Sequence, residues 1–206
     1  MTKLLLTAAL TTSFAAAACV QNAGDDSVAP ATSTVESDVT RASDCPDVTP
    51  ATLAPPATAD LAFALDAQGV QKYACVQSTA GYAWTFVAPD ANLFNLDPQG
   101  WAVHHFAGPT WLARDSSSVR GAKVAASTPD PTAIPWLLLD VASHGGADGR
   151  LSDITQIQRL STTGGVAPAT ACDADHVGLQ SEVLYTARYF FYRTDANARH
   201  RVRCGG

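Results

Sequence analysis

The 206 residues carry a net charge of -6, only 16% charged side chains and 47% hydrophobic ones. That balance describes an ordinary acidic globular protein and offers no basic footprint for nucleic acid, so a nucleic-acid partner is excluded from the expectations. Setting aside an export segment and a tail leaves roughly 145–150 residues, the size of one domain around one core.

Met1 to Ala18 has the order of an export signal: Lys3 at the start, an apolar stretch from Leu4 to Leu10, and small residues from Ala15 to Ala18. It is too short to serve as a stable membrane-crossing anchor. Cys19 follows the small residues directly, which resembles a bacterial lipoprotein box, although Ala16 stands where that box usually has a larger aliphatic residue. Lipidation at Cys19, with the membrane as partner through that anchor, is therefore expected over cleavage and free secretion. From Cys19 to Ala59 the sequence is rich in Ala, Thr, Ser, Asp, Val and Pro without an apolar period. Such a segment buries too little surface to offset its ordering entropy, so residues 19–59 are expected to be a disordered tether.

The domain is expected to span residues 60–206. Leu61, Phe63 and Leu65 alternate with smaller or polar neighbours, and Ala67-Gln68-Gly69 suggests a turn into Val70–Gln77. Tyr82–Val87 alternates again, Pro89-Asp90 suggests a stop, and Asn92–Leu96 leads through Asp97-Pro98-Gln99-Gly100 to Trp101–Ala107. Thr110–Arg114 and Val119–Ala125 form a further pair. A Pro-interrupted loop then precedes the apolar run Trp136–Ala142, and Ala147-Asp148-Gly149 turns it into Leu151–Leu160. Thr162–Gln180 is irregular, and Glu182–Arg193 is the last strand, apolar on both faces of its C-terminal half. The prediction is an all-β domain of about ten short strands with little helix, either an antiparallel β-sandwich or a closed β-barrel.

Of the five cysteines, acylation of Cys19 would leave Cys45, Cys75, Cys172 and Cys204, an even set with three possible pairings in an oxidising compartment. Position along the chain favours Cys75 with Cys172 inside the domain and Cys45 with Cys204 around it. No Cys-x-x-Cys pair or zinc-finger spacing is present, and His105, His144, His176, Asp173 and Asp175 have no spacing that commits them to an ion, so no metal is expected. The absence of a Gly-x-Gly-x-x-Gly motif between a strand and a helix gives no reason to expect a nucleotide cofactor.

The densest chemistry is His104 to Trp111. Adjacent strand residues point to opposite faces, so His104 and His105 cannot share one ion from a regular strand. Parity sets His105 with Trp101 and Val103, facing inward. The simplest reading is a hydrogen-bonded core histidine, and the alternative is a weak catalytic candidate working with Asp140 or Arg159. The residues proposed to line a ligand site are His105, Trp111, Trp136, Arg159 and Tyr189. A buried Arg159 would need an anion or a carboxylate partner, whereas an exposed one would be only a solvated edge residue. No Gly-x-Ser-x-Gly elbow marks a hydrolase. Arg199, His200, Arg201 and Arg203 form a short basic tail.

Several segments together resemble one family. They are Gly69-Val70-Gln71 with Tyr73 and Cys75, His105-Phe106-Ala107-Gly108-Pro109-Thr110-Trp111, Ile134-Pro135-Trp136-Leu137-Leu138, Ile157-Gln158-Arg159 with Thr163-Gly164-Gly165-Val166-Ala167-Pro168 and Cys172, and Tyr185 with Ala187, Tyr189 and Tyr192. In order and spacing they are similar to the domain-of-unknown-function 3455 family of exported bacterial and fungal proteins, from about Leu61 to Tyr192. The resemblance implies a compact β-rich extracytoplasmic domain and carries no established activity. It also places Cys75 and Cys172 on family positions, with Cys45 and Cys204 outside them. The expected role is a binding or structural module of the cell envelope, with a small-molecule enzyme (isomerase, cyclase or lyase type) using a pocket near His105 as the alternative.

Overall fold

A computed structural model describes residues 44–47, 50–95, 101–194, 202 and 204, all within one compact unit, Asp38–Gly206. The expected signal, Cys19, the tether up to residue 43 and the basic cluster of the tail lie outside the described residues, as does the side chain of Trp101.

Eight strands form a single antiparallel sheet that closes on itself: β1 (Asp60–Ser78), β2 (Gly81–Phe94), β3 (Trp101–Phe106), β4 (Thr110–Ala113), β5 (Ser117–Ser127), β6 (Trp136–Gly146), β7 (Ile154–Gly164) and β8 (Gln180–Arg193). Each strand pairs with its successor, and β8 returns to β1 along the length of both, from Asp60 opposite Arg193 to Ala74 opposite Gln180. Of the two architectures expected, the closed barrel is the one adopted. Closure leaves no unpaired edge, and eight strands enclose a space that side chains nearly fill.

The count is eight rather than ten because two expected breaks are not breaks. Ala67-Gln68-Gly69 runs straight on within β1, where Gly69 pairs with Ala91 of β2 and Tyr185 of β8. A Cβ on Gly69 would lie 2.2 Å from the Asp90 carbonyl oxygen and 2.4 Å from the Ala91 Cα, so this glycine serves close backbone approach rather than a turn. Pro89-Asp90 likewise continues β2. Pro89 lies opposite Gln71 beside a bulge, where Lys72 pairs with Ala88 and Tyr73 with Phe86, leaving Val87 as the extra residue.

Alternation divides the barrel into an inside and an outside. Phe63, Leu65, Leu93, Val103, Trp111, Val119, Leu139, Ile157, Tyr185, Tyr189 and Phe191 belong to the inner core. The opposite faces of β6, β7 and β8 supply Leu138, Leu160, Phe190 and Tyr192 to a second, outer cluster. Leu53 and Ala59 are buried in that cluster, and Cys45, Val202 and Cys204 pack against it. Residues counted with the tether therefore belong to the packed structure: Leu53 sits in a short 3-10 turn, Ala51–Leu53, and its carbonyl accepts a 2.6 Å hydrogen bond from Gln158 Nε2. Gln158 in turn accepts one from the Tyr192 hydroxyl at 2.8 Å, so this buried amide is satisfied on the outer face.

Disulfides join Cys45 to Cys204 and Cys75 to Cys172, the arrangement that position along the chain favours. The first fastens the N-terminal cover to the C-terminal segment. The second pins the irregular connection between β7 and β8 to β1, helped by the hydrogen bond from Cys75 N to the Leu179 oxygen and by that from Trp84 Nε1 to the Thr170 oxygen. Such crosslinks form and persist in an oxidising, extracytoplasmic compartment. Among the described residues no helix is long and apolar enough to cross a membrane.

At one end of the barrel, side chains tie the turns together. Asp115 accepts hydrogen bonds from Ser117 N, Ser117 Oγ and Arg150 N, which fastens the turn after β6 to the start of β5. The Arg150 guanidinium lies 4.2 Å above the Phe63 ring. The other end, where β3 turns into β4 and β6 and β7 have their Pro135 and Gly164 ends, holds a pocket lined by inner-face residues.

Candidate functional site

His105 and Trp111 face each other directly in the β3–β4 register, and both point inward. Their rings stack at 4.2 Å with 7° between planes, and Tyr189 meets both edge-on at 5.6 and 6.0 Å. Space for the indole comes from Gly121 on β5, where a Cβ would come within 2.9 Å of Trp111 Cζ3 and 3.1 Å of Leu139 Cδ2. The His105 ring is 3% exposed, and its Nδ1–H donates to the Thr110 carbonyl at 3.0 Å. That bond fixes the tautomer and leaves Nε2 as a bare acceptor, with no partner among the described residues. Burial drives its pKa from 6.5 down to about 3, and the Arg159 charge pushes the same way. The ring is neutral throughout the ordinary pH range.

His104 points outward, as strand parity requires, and donates from Nε2 to Asp90 Oδ1 at 2.9 Å. Lys72 Nζ reaches the other oxygen of Asp90 at 2.7 Å. The hydrogen bond from His104, and then that from Lys72, hold the Asp90 carboxyl below its usual range. The two neighbouring histidines thus do separate jobs, one on the surface and one inside.

Arg159, on the inner face of β7, is 8% exposed. Its Nε and Nη2 both donate to the Pro135 carbonyl, at 3.1 and 2.8 Å. No carboxylate lies within ion-pair distance of it among the described residues. A buried guanidinium supported only by a backbone carbonyl is an incomplete arrangement, because buried charges are ordinarily paired. Just beyond, β7 bulges between Leu160 and Thr163, with Ser161 in the left-handed region at φ 50°, and Thr162 Oγ1 donates to the Ile134 carbonyl at 2.6 Å. The Tyr73 hydroxyl donates to the Gly165 carbonyl at 2.6 Å, and burial raises its pKa.

His105 and Arg159 border a pocket of about 220 Å³ at this end of the barrel. His105, Trp111, Arg159 and Tyr189 line its inner part, with Leu137 and Leu139, and Phe86, Val87 and Lys123 lie around it. Phe86 and Val87 are half or more exposed, so the apolar wall reaches the surface. The volume is below the roughly 300–1,000 Å³ usual for drug-sized ligands, which sets a small molecule as the upper limit.

Four of the five residues proposed from the sequence, His105, Trp111, Arg159 and Tyr189, border this one pocket. Trp136 does not. It precedes Leu137 on β6, so alternation turns it outward, where it packs against the cluster containing Leu138. Asp140, proposed as a proton-transfer partner for His105, is exposed, one residue beyond the inward Leu139. The residues not foreseen were Lys123, Leu137, Leu139 and the Phe86-Val87 bulge. The first had a readable signal, since Val119, Gly121 and Lys123 share one parity; the bulge had none.

The candidate metal ligands are held apart. His144 Nε2 donates to the Ile154 carbonyl at 2.8 Å, and His176 Nδ1 donates to Asp173 Oδ1 at 2.5 Å. Asp173 also accepts from Asp175 N at 3.0 Å, so the Asp-x-Asp segment forms a local turn. Among the described residues no three His, Cys, Asp or Glu side chains gather into a metal-sized group.

Comparison with curated proteins and with solved structures gives no match. A family model described as a protein of unknown function, DUF3455, matches residues 56–193. That span contains all eight strands, Asp60 to Arg193, and every residue bordering the pocket. The chain therefore belongs to the DUF3455 family.

Proposed function

We propose that this protein is an extracytoplasmic binding module of the cell envelope whose barrel holds a small, largely apolar molecule in the pocket beside His105. One observation carries the reading: the space beside His105 is an open pocket reaching inward polar groups, whereas a purely structural barrel would fill it with side chains. Binding is favoured over catalysis by the state of His105. An imidazole whose pKa is pushed to about 3 is a weak base and is not available as an acid near neutral pH, while general acid–base work is most efficient with a pKa near the operating pH. As a neutral ring with a bare Nε2 it suits accepting one hydrogen bond from a ligand.

The test uses a neutral probe, 3-phenylpropan-1-ol, titrated calorimetrically into the purified protein. Binding is expected, and Leu137→Trp, which puts an indole into the pocket from β6, is expected to weaken it at least tenfold while the barrel remains folded. Equal binding by the folded variant would overturn this placement of the site.

The anchoring half of the proposal rests on Ala15 to Cys19 and on the linker-like segment after it. Mass spectrometry of the N-terminus of protein taken from its native membrane fraction is expected to find an acylated Cys19. A free terminus generated at another residue would replace the anchor by simple secretion.

A further inference from the structure

We infer that the pocket's ligand is a small monoanion, a carboxylate joined to a compact apolar body, gripped by the free edge of the Arg159 guanidinium. This rests on the binding reading and goes beyond it in naming the charge and the anchoring group. The guanidinium has two edges. Its Nε/Nη2 edge is occupied by the single Pro135 carbonyl at 3.1 and 2.8 Å, which holds the plane of the group in place. Its Nη1 and the remaining hydrogen of Nη2 have no partner among the described residues, and they form the second two-donor fork. A planar, pre-oriented fork matches the two oxygens of a carboxylate.

The surroundings agree on sign. No acid lines the pocket, and the second cation there, Lys123, is exposed and has no ion-pair partner among the described residues. Arg159 and Lys123 therefore give the pocket a positive potential that nothing within it offsets, and the low-dielectric walls strengthen it. The ligand's body is equally constrained. Leu137, Leu139, Phe86, Val87 and the Trp111 ring make the surface away from the cations mainly apolar, with His105 Nε2 and the Tyr189 hydroxyl as its uncharged polar atoms, so a strongly hydrated polyanion would lose most of its water without replacement. One carboxylate and one apolar group satisfy both requirements.

The experiment compares 3-phenylpropanoate with 3-phenylpropan-1-ol, probes of similar shape that differ in charge, by calorimetry near neutral pH. The anion is expected to bind at least tenfold more tightly to the wild-type protein. Arg159→Gln is expected to bring the two affinities within about twofold. Arg159→Lys, which keeps the charge and loses the fork, is expected to retain only part of the preference. Continued binding of the alcohol shows that a variant's pocket is intact. Should the Arg159 variants not fold, exposed Lys123→Ala supplies the second measurement: the preference for the anion over the alcohol should fall a few-fold.

If the alcohol binds wild type, is excluded by Leu137→Trp, and the anion binds no more tightly, the anion assignment is wrong and the binding module stands. A preference that survives in folded Arg159→Gln, or one unchanged in Lys123→Ala when the Arg159 variants do not fold, also overturns the assignment. Failure of both probes to bind overturns the binding reading and this assignment together.

Discussion

Replacing Trp111 by alanine is expected to destabilise the barrel by about 3–5 kcal/mol, the cost usual for deleting a large aromatic side chain from a packed interior. Trp111 is 1% exposed and holds three neighbours at once. It stacks on His105, meets the edge of Tyr189, and fills the room left by Gly121. No inward residue can take that room without moving a strand, because β4 has only four residues and is paired on both sides. Urea unfolding of wild type and variant measures the difference. A loss of less than about 1 kcal/mol would mean that the interior collapses readily around the vacancy, and that the pocket is not held open by a rigid stack. The substitution should also let water reach His105, weakening the burial that depresses its pKa.

The second large effect is the dependence of stability on pH. His105 has an ordinary pKa of 6.5 when unfolded and about 3 when folded. Between those values the unfolded chain holds a proton on this ring and the folded protein does not. Acidification therefore favours unfolding: the stability due to the neutral buried ring is complete above pH 6.5 and is lost progressively as pH falls toward 3. The slope approaches about 1.4 kcal/mol per pH unit, the value for one proton. Carboxyls held low by hydrogen bonds, such as Asp90 by His104 and Asp173 by His176, act in the same direction but below the ordinary aspartate value of 3.8. Between pH 5 and 6.5 these carboxyls contribute little, and the difference between wild type and a His105 variant reads that ring alone. His105→Gln, which can still donate to the Thr110 carbonyl, is expected to flatten the curve there. Denaturant unfolding at a series of pH values reads this directly, and an unchanged slope in the variant would mean that His105 is hydrated or protonated when folded.

The inner and outer faces were legible wherever a strand was regular. Period-two alternation placed His105 inside and His104 outside, and it placed Tyr185, Ala187, Tyr189 and Phe191 on one face of the last strand; these four are inner-core residues. It failed where sequence punctuation was taken for a chain reversal. Gly69 and Pro89 are turn formers by composition, yet they lie in the two longest stretches of pairing in the barrel. A glycine reserved for backbone approach and a proline beside a bulge look the same in sequence as the ends of strands. Trp136 lies outside because it alternates with the inward Leu137 and Leu139 along β6.

By itself the sequence determined the class of the protein: an all-β domain of the DUF3455 family, four cysteines after Cys19 suited to two disulfides, and a histidine directed into the core. These properties depend on local periodicity and residue chemistry, which are present at every position whatever the remote partners. Only the tertiary structure decided that the sheet closes into a barrel, that residues before Asp60 cover its outer face, and that Arg159 from β7 shares a pocket with His105 from β3 and Lys123 from β5. Closure is set by the pairing of β8 with β1 and by bulges that shift register by single residues. A one-residue shift reverses which face a side chain occupies, so the composition of the pocket depends on registers between distant segments that no local pattern specifies.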